Sequence, residues 1–127
     1  MQANNKRRPV YLDLLRIHLP VGGVVSIAHR ITGVLMILAL PWVVYLLQLS
    51  LDGEAGFGRA AAIMSQPFSK LLLLIVLACF ALHFFAGVRH LLLDIDIGID
   101  RAAARRSAWG VVAATVLAVV VTGVGLF

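Results

Sequence analysis

LLLLIVLACFALHFFAGVRHLLLD, Leu71–Asp94, is the stretch on which the fold turns. From Leu71 to Val88 it contains no Asp, Glu, Lys or Arg, and polar and apolar residues do not alternate along it. A hydrocarbon core about 30 Å thick takes roughly 20 apolar residues in a helix. Within that core every backbone N–H and C=O must be paired inside the segment or around a closed barrel. Barrel strands would appear as short alternating segments, so this run is expected to be a membrane-spanning helix. His83 stands inside it. An imidazole facing lipid is strongly unfavourable, so an ionisable side chain at this depth points to a partner or a cavity.

Working outward, Ile31–Leu51 and Ser107–Phe127 are also free of charged residues. The 127 residues are 61% hydrophobic and 13% charged, a membrane composition rather than that of a water-soluble core. The expected fold is all-α, an integral membrane domain of three transmembrane helices over 1–127, with helices at about 22–49, 68–94 and 104–127. Pro41 should kink the first. The loop DGEAGFGRAAAIMSQPFSK, with three glycines and Pro67, is expected to interrupt helical structure. In the third span Ala114, Ala118 and Thr122 form a small-residue stripe suited to close helix contact. Residues 1–21, with Pro9 and Pro20 and mixed charge, read as an interfacial segment. They lack the apolar core of a secretory signal and do not resemble a transit peptide.

The net charge of +5 does not indicate a nucleic-acid domain, because the basic residues flank the spans. Lys6, Arg7, Arg8, Arg16 and Arg30 precede or enter the first; only Arg59 and Lys70 lie between the first two; Arg89, Arg101, Arg105 and Arg106 lie between the last two. The positive-inside rule therefore puts the N-terminus and the second connection in the cytoplasm and Phe127 outside. The single cysteine, Cys79, cannot form an intrachain disulfide and reads as a small packing residue; no C-x-x-C-H is present for covalent haem attachment.

The polar residues of the spans fall on helical faces. His83, Gly87, His90 and Asp94 share one stripe of the second span, and Ser26, His29, Arg30 and Gly33 share one of the first. At 1.5 Å per residue, His83 lies about 20 Å from Lys70 and about 9 Å from Arg89. The other polar members of both stripes cluster near the cytoplasmic edge. Two functional readings suit this set. A neutral imidazole in a helical bundle, flanked by glycine, is an axial ligand for b-type haem, with cations near the membrane edge for the propionates. Ser26, Arg30, His90 and Asp94 could serve a quinone head group, which needs hydrogen-bond donors and a proton route. The plainer readings stand beside these. His83 could be a packing histidine hydrogen-bonded to a neighbouring helix, Ser26 a helix-contact residue, Arg30 and Arg89 interfacial anchors, and Asp94, Asp96 and Asp100 a solvated run. His18 is read as structural.

RPVYLDL at Arg8–Leu14, SIAHRITG at Ser26–Gly33 and HFFAGVRHLLLD at His83–Asp94 resemble the cytochrome b556 subunits of bacterial succinate dehydrogenases. The resemblance runs over nearly the whole chain. It implies one of two membrane anchors of respiratory complex II, packed with a second anchor subunit around haem b. By the same resemblance His83 is the axial haem ligand, Ser26 and Arg30 belong to the quinone site, and His29 lies near the haem propionates. His90 and Asp94 complete the motif in the haem or quinone region. The other axial histidine is expected from the second anchor, with His29 as the competing candidate. Flavoprotein and iron–sulfur subunits, carrying FAD and the iron–sulfur clusters, would dock on the cytoplasmic side and pass electrons to ubiquinone. The chain would sit in the bacterial inner membrane and would not be catalytic alone. A quinol:fumarate reductase anchor, a purely structural anchor without haem and a free-standing cytochrome b are the competing hypotheses.

Overall fold

The computed structural model describes residues 19–127, which form four helices: α1 (Val21–Ser50), α2 (Gly53–Ser65), α3 (Pro67–Asp94) and α4 (Arg101–Leu126). The RPVYLDL stretch, His18 and residues 1–18 of the expected interfacial segment lie outside the described residues. Helices α1, α3 and α4 are long and apolar enough to cross a membrane, and no strand occurs among the described residues.

α1 opens directly after Pro20, whose extended backbone and carbonyl receive the first turn: Gly23 N–H donates to Pro20 O at 2.8 Å. It runs through Pro41, which has no N–H to contribute to the helical ladder. α3 carries Pro67 in its first turn, where a missing donor costs nothing. Its other end turns sharply through Asp96 (φ 61°) and Gly98 (φ 78°), both left-handed, and α4 starts at Arg101, three residues before the expected position.

The expected loop between the first two spans is instead largely helical, as α2. Glycine lowers helix propensity, but here two glycines serve the packing. Gly53 takes φ 71° at the start of α2, and a Cβ on Gly56 would collide with the backbone carbonyl of Leu49. Glu54 in the first turn complements the helix dipole, and Arg59 Nη2 reaches back to Asp52 Oδ2 at 3.3 Å. The alanines that follow favour the helix.

α3 is the central element, packed against both α1 and α4. The shared core is small: Val25, Ala86, Ala108 and Val111, with Val21, Phe85 and Val112 against it. On α4, Ala108, Val111 and Thr115 are buried, and Ala118 and Thr122 continue that line half-buried. The Thr115 and Thr122 hydroxyls donate to Val111 O and Ala118 O, so neither is left unpaired. Cys79 is buried in α3.

Arg89 is not an interfacial anchor. It is only 8% exposed, with Nε donating to Ser107 Oγ at 3.1 Å and Nη2 to Ala104 O at 3.2 Å, which ties α3 to α4. Charge-assisted hydrogen bonds of this kind contribute roughly 1.5–3 kcal/mol each when buried. A Cβ on Gly22 would lie 3.2 Å from Arg89 Nη2, so the start of α1 closes over the same guanidinium.

Candidate functional site

The two polar stripes meet along the contact between α1 and α3, toward the end where α1 begins. His29 and His83 stack face to face, ring centroids 4.0 Å apart and planes 19° from parallel. His90 joins them with its ring 5.1 Å from that of His29 and tilted by 53°. Glycine eases this approach on α1, where a Cβ on Gly33 would come to 3.0 Å from His83 Cε1; on α3 a Cβ on Gly87 would meet His29 Nε2 at 3.4 Å, an ordinary contact.

His83 is held through one nitrogen. Its Nδ1 lies 2.9 Å from the backbone carbonyl of His29, which can only accept, so the ring proton sits on Nδ1. Thr32 Oγ1, 3.4 Å from the same nitrogen, directs its own proton to Ala28 O (2.9 Å) or His29 O (3.0 Å) and accepts from the imidazole. In the neutral ring, Nε2 is therefore left with a lone pair and no proton. This is the arrangement by which a protein presents an imidazole nitrogen to a metal, the second nitrogen fixing tautomer and orientation.

His83 also lines a shallow, mostly apolar groove of about 370 Å3 with Gly33, Met36, Ile37 and Leu40. Among the described residues no group of three or more His, Cys, Asp or Glu side chains is placed to hold a metal ion. The three imidazoles associate through their faces and edges instead. A donor set of one well-oriented imidazole beside an apolar groove suits a metal that arrives with its own equatorial ligands.

The remaining predicted residues are arranged around this core. Ser26 is half-buried on α1, and Arg30, one turn on, is exposed. His90 is half-buried, and its Nδ1 is fully buried with no hydrogen-bond partner among the described residues. Asp94 is exposed at the last residue of α3, one turn beyond His90. Thus His29 packs against both His83 and His90, while Ser26, Arg30 and Asp94 lie further along the same two helices.

Thr32 is a member that the sequence reading overlooked. It is buried and touches His83 across the helix contact. Its signal was its position three residues after His29, on the same helical face.

A family model described as succinate dehydrogenase/fumarate reductase transmembrane subunit matches residues 4–122. A succinate dehydrogenase cytochrome b556 subunit of Coxiella burnetii (strain RSA 493 / Nine Mile phase I) is 33% identical over 124 residues, covering 97% of this chain and 99% of that protein. The subunit of the same name from Paracoccus denitrificans is 25% identical over 125 residues, covering 98% of this chain and 96% of its own length.

Proposed function

Since the chain belongs to the succinate dehydrogenase/fumarate reductase transmembrane subunit family, we propose that it is a haem b-binding anchor of a succinate:ubiquinone oxidoreductase and forms part of its quinone-reduction site. The observation that carries this reading is the hydrogen bond from His83 Nδ1 to His29 O, which leaves Nε2 free beside the groove.

The residues present fit a porphyrin. His83 would ligate the iron through Nε2, and Gly33 with Met36, Ile37 and Leu40 offers an apolar surface for the macrocycle. When bound, haem b supplies a one-electron redox centre within the membrane. His29 and the buried, unpartnered Nδ1 of His90 are polar groups suited to the propionate region. His29 is poorly placed as a second ligand, because its ring lies flat against the face of His83. In this reading the second ligand would come from another chain, the second anchor subunit.

Near the membrane edge, Ser26 would donate its hydroxyl to a quinone carbonyl oxygen. The exposed Arg30 guanidinium, one helical turn away, would stabilise negative charge developing on the ring. Asp94, exposed at the end of α3, and His90, one turn before it, would relay protons arriving from water. The chain holds none of the flavin chemistry that oxidises succinate, so FAD and the iron–sulfur clusters belong to partner subunits. The distribution of basic residues supports a multi-pass chain in the bacterial inner membrane, with its N-terminus in the cytoplasm and its C-terminus in the periplasm.

The test is the oxidised and reduced spectra of the purified complex, taken with its subunit composition. A low-spin b-type spectrum is expected, together with flavoprotein, iron–sulfur and second anchor subunits; the chain expressed without the second anchor should lack six-coordinate haem. Absence of haem from an intact complex would leave a structural anchor. Because the family includes fumarate reductase subunits, the preferred quinone and the physiological direction should be measured as well.

Gly33→Ala tests the fit of the groove. Its methyl would sit 3.0 Å from His83 Cε1, a tight contact that is relieved by a shift of a few tenths of an ångström, either of the ring or of the helix that carries it. The expected result is an assembled complex with an altered haem spectrum or lowered haem content. A wild-type spectrum would show that the two helices can separate slightly without disturbing His83.

A further inference from the structure

On another flank of the bundle, an open cavity of about 470 Å3 lies where α1 and α4 begin. Arg89, Arg101 and Arg105 line it together with Pro20, Val21 and Ala104. It shares no lining residue with the His83 groove.

Among the described residues, the charges that line this cavity all have one sign. Arg89 is more than nine-tenths buried; Nε and Nη2 are engaged with α4, while Nη1 has no partner among the described residues. Arg101 and Arg105 stand four residues apart on α4, where like charges repel. They also occupy the first turns of that helix, where the macrodipole is already positive, and no acidic residue shares the first turn. Asp100, the N-cap, is exposed and caps nothing with its side chain. Among the described residues the ion pair formed is Arg59 with Asp52, at the other end of the bundle. Three guanidinium groups drawn from two helices to one cavity at a helix N-terminus repel one another, and an anion among them would relieve that repulsion.

The remainder of the lining is apolar, and α4 becomes free of charge from Ser107 onward, so the cavity lies at the membrane boundary. A phosphate carried on an apolar body matches both properties. Guanidinium groups take phosphate oxygens in paired hydrogen bonds, and basic pockets between membrane helices suit anionic headgroups. We propose that this cavity binds the headgroup phosphate of an anionic phospholipid, with Arg101 and Arg105 at its mouth and Arg89 at its base. The site is independent of the haem reading, and its test reads lipid rather than haem.

The experiment uses the intact complex, delipidated in detergent and titrated with dioleoylphosphatidylglycerol, dioleoylphosphatidylcholine or inorganic phosphate, with retained lipid counted by native mass spectrometry. The complex should retain phosphatidylglycerol in preference to phosphatidylcholine, and millimolar phosphate should not displace it. The double variant Arg101→Gln/Arg105→Gln changes two exposed side chains and should lower phosphatidylglycerol affinity about thirtyfold, while Arg59→Gln leaves it unchanged. Equal affinity for the two lipids overturns the proposal, as does equal affinity in wild type and double variant. Displacement by phosphate would assign the site to a free anion and overturn the lipid assignment. Should the double variant fail to assemble, the single variants Arg101→Gln and Arg105→Gln carry the same comparison, each expected to lower phosphatidylglycerol affinity about fivefold.

Discussion

A complex carrying His83→Ala is expected to lose the low-spin, six-coordinate b-type spectrum while keeping its flavin. The reason lies in how His83 is held. His29 O fixes the proton on Nδ1, and the fixed tautomer points the chemistry to Nε2. No neighbouring imidazole can take over without moving: His29 is stacked flat against His83, and His90 is tilted beside His29. Alanine also removes a ring from the contact between α1 and α3, so altered packing must be separated from lost ligation. Added imidazole makes that separation, because a free ring entering the space left by His83 can ligate the iron and restore the low-spin spectrum. A packing defect would not respond in this way. An unchanged spectrum in the assembled variant would make His83 a structural histidine.

Much of this arrangement was legible in the sequence because its signals are local. Three charge-free runs of membrane length announce the spans, and helical spacing assembles His83, Gly87 and His90 on one face and His29 with Gly33 on another. What remained hidden depends on contacts between segments. Rise per residue places Arg89 near a membrane boundary but does not say that its guanidinium turns toward Ser107 and Ala104 of α4. The glycines before the second span read as helix breakers, yet Gly56 is where the start of α2 passes the Leu49 carbonyl. Thr32 resembles any hydroxyl bonded back to its own helix until His83 arrives from α3. The pairing of His83 Nδ1 with a backbone carbonyl fifty-four residues away has no sequence signature at all.

The second large effect is expected at the proposed quinone site. Arg30→Leu should lower succinate:quinone reductase activity about 10²-fold, the usual consequence of removing one group that stabilises developing negative charge. Ser26→Ala should act in the same direction and more weakly, because a neutral donor is lost. Both residues are on α1 near the membrane edge, and Arg30 is exposed rather than engaged in the helix contacts, so its loss should not unseat the fold. The decisive comparison is between quinone and a water-soluble dye as electron acceptor. Dye reduction should persist at the wild-type rate while quinone reduction falls, with haem and flavin content measured alongside. Intact quinone reduction in both variants would withdraw the two residues from the site.

The groove beside His83 lies on the flank of the bundle, and among the described residues none with a large side chain is fully enclosed. A prosthetic group seated there and completed by a neighbouring chain links two equilibria. By thermodynamic reciprocity, whatever factor the bound group adds to the affinity of the two chains, the paired chains add to the affinity for the group. On the proposed function, loss of either partner would weaken retention of the other, and an unpaired anchor would hold its prosthetic group poorly. Assembly and cofactor loading would then be a single cooperative event, with the incomplete wall of the groove closed only when the complex is made.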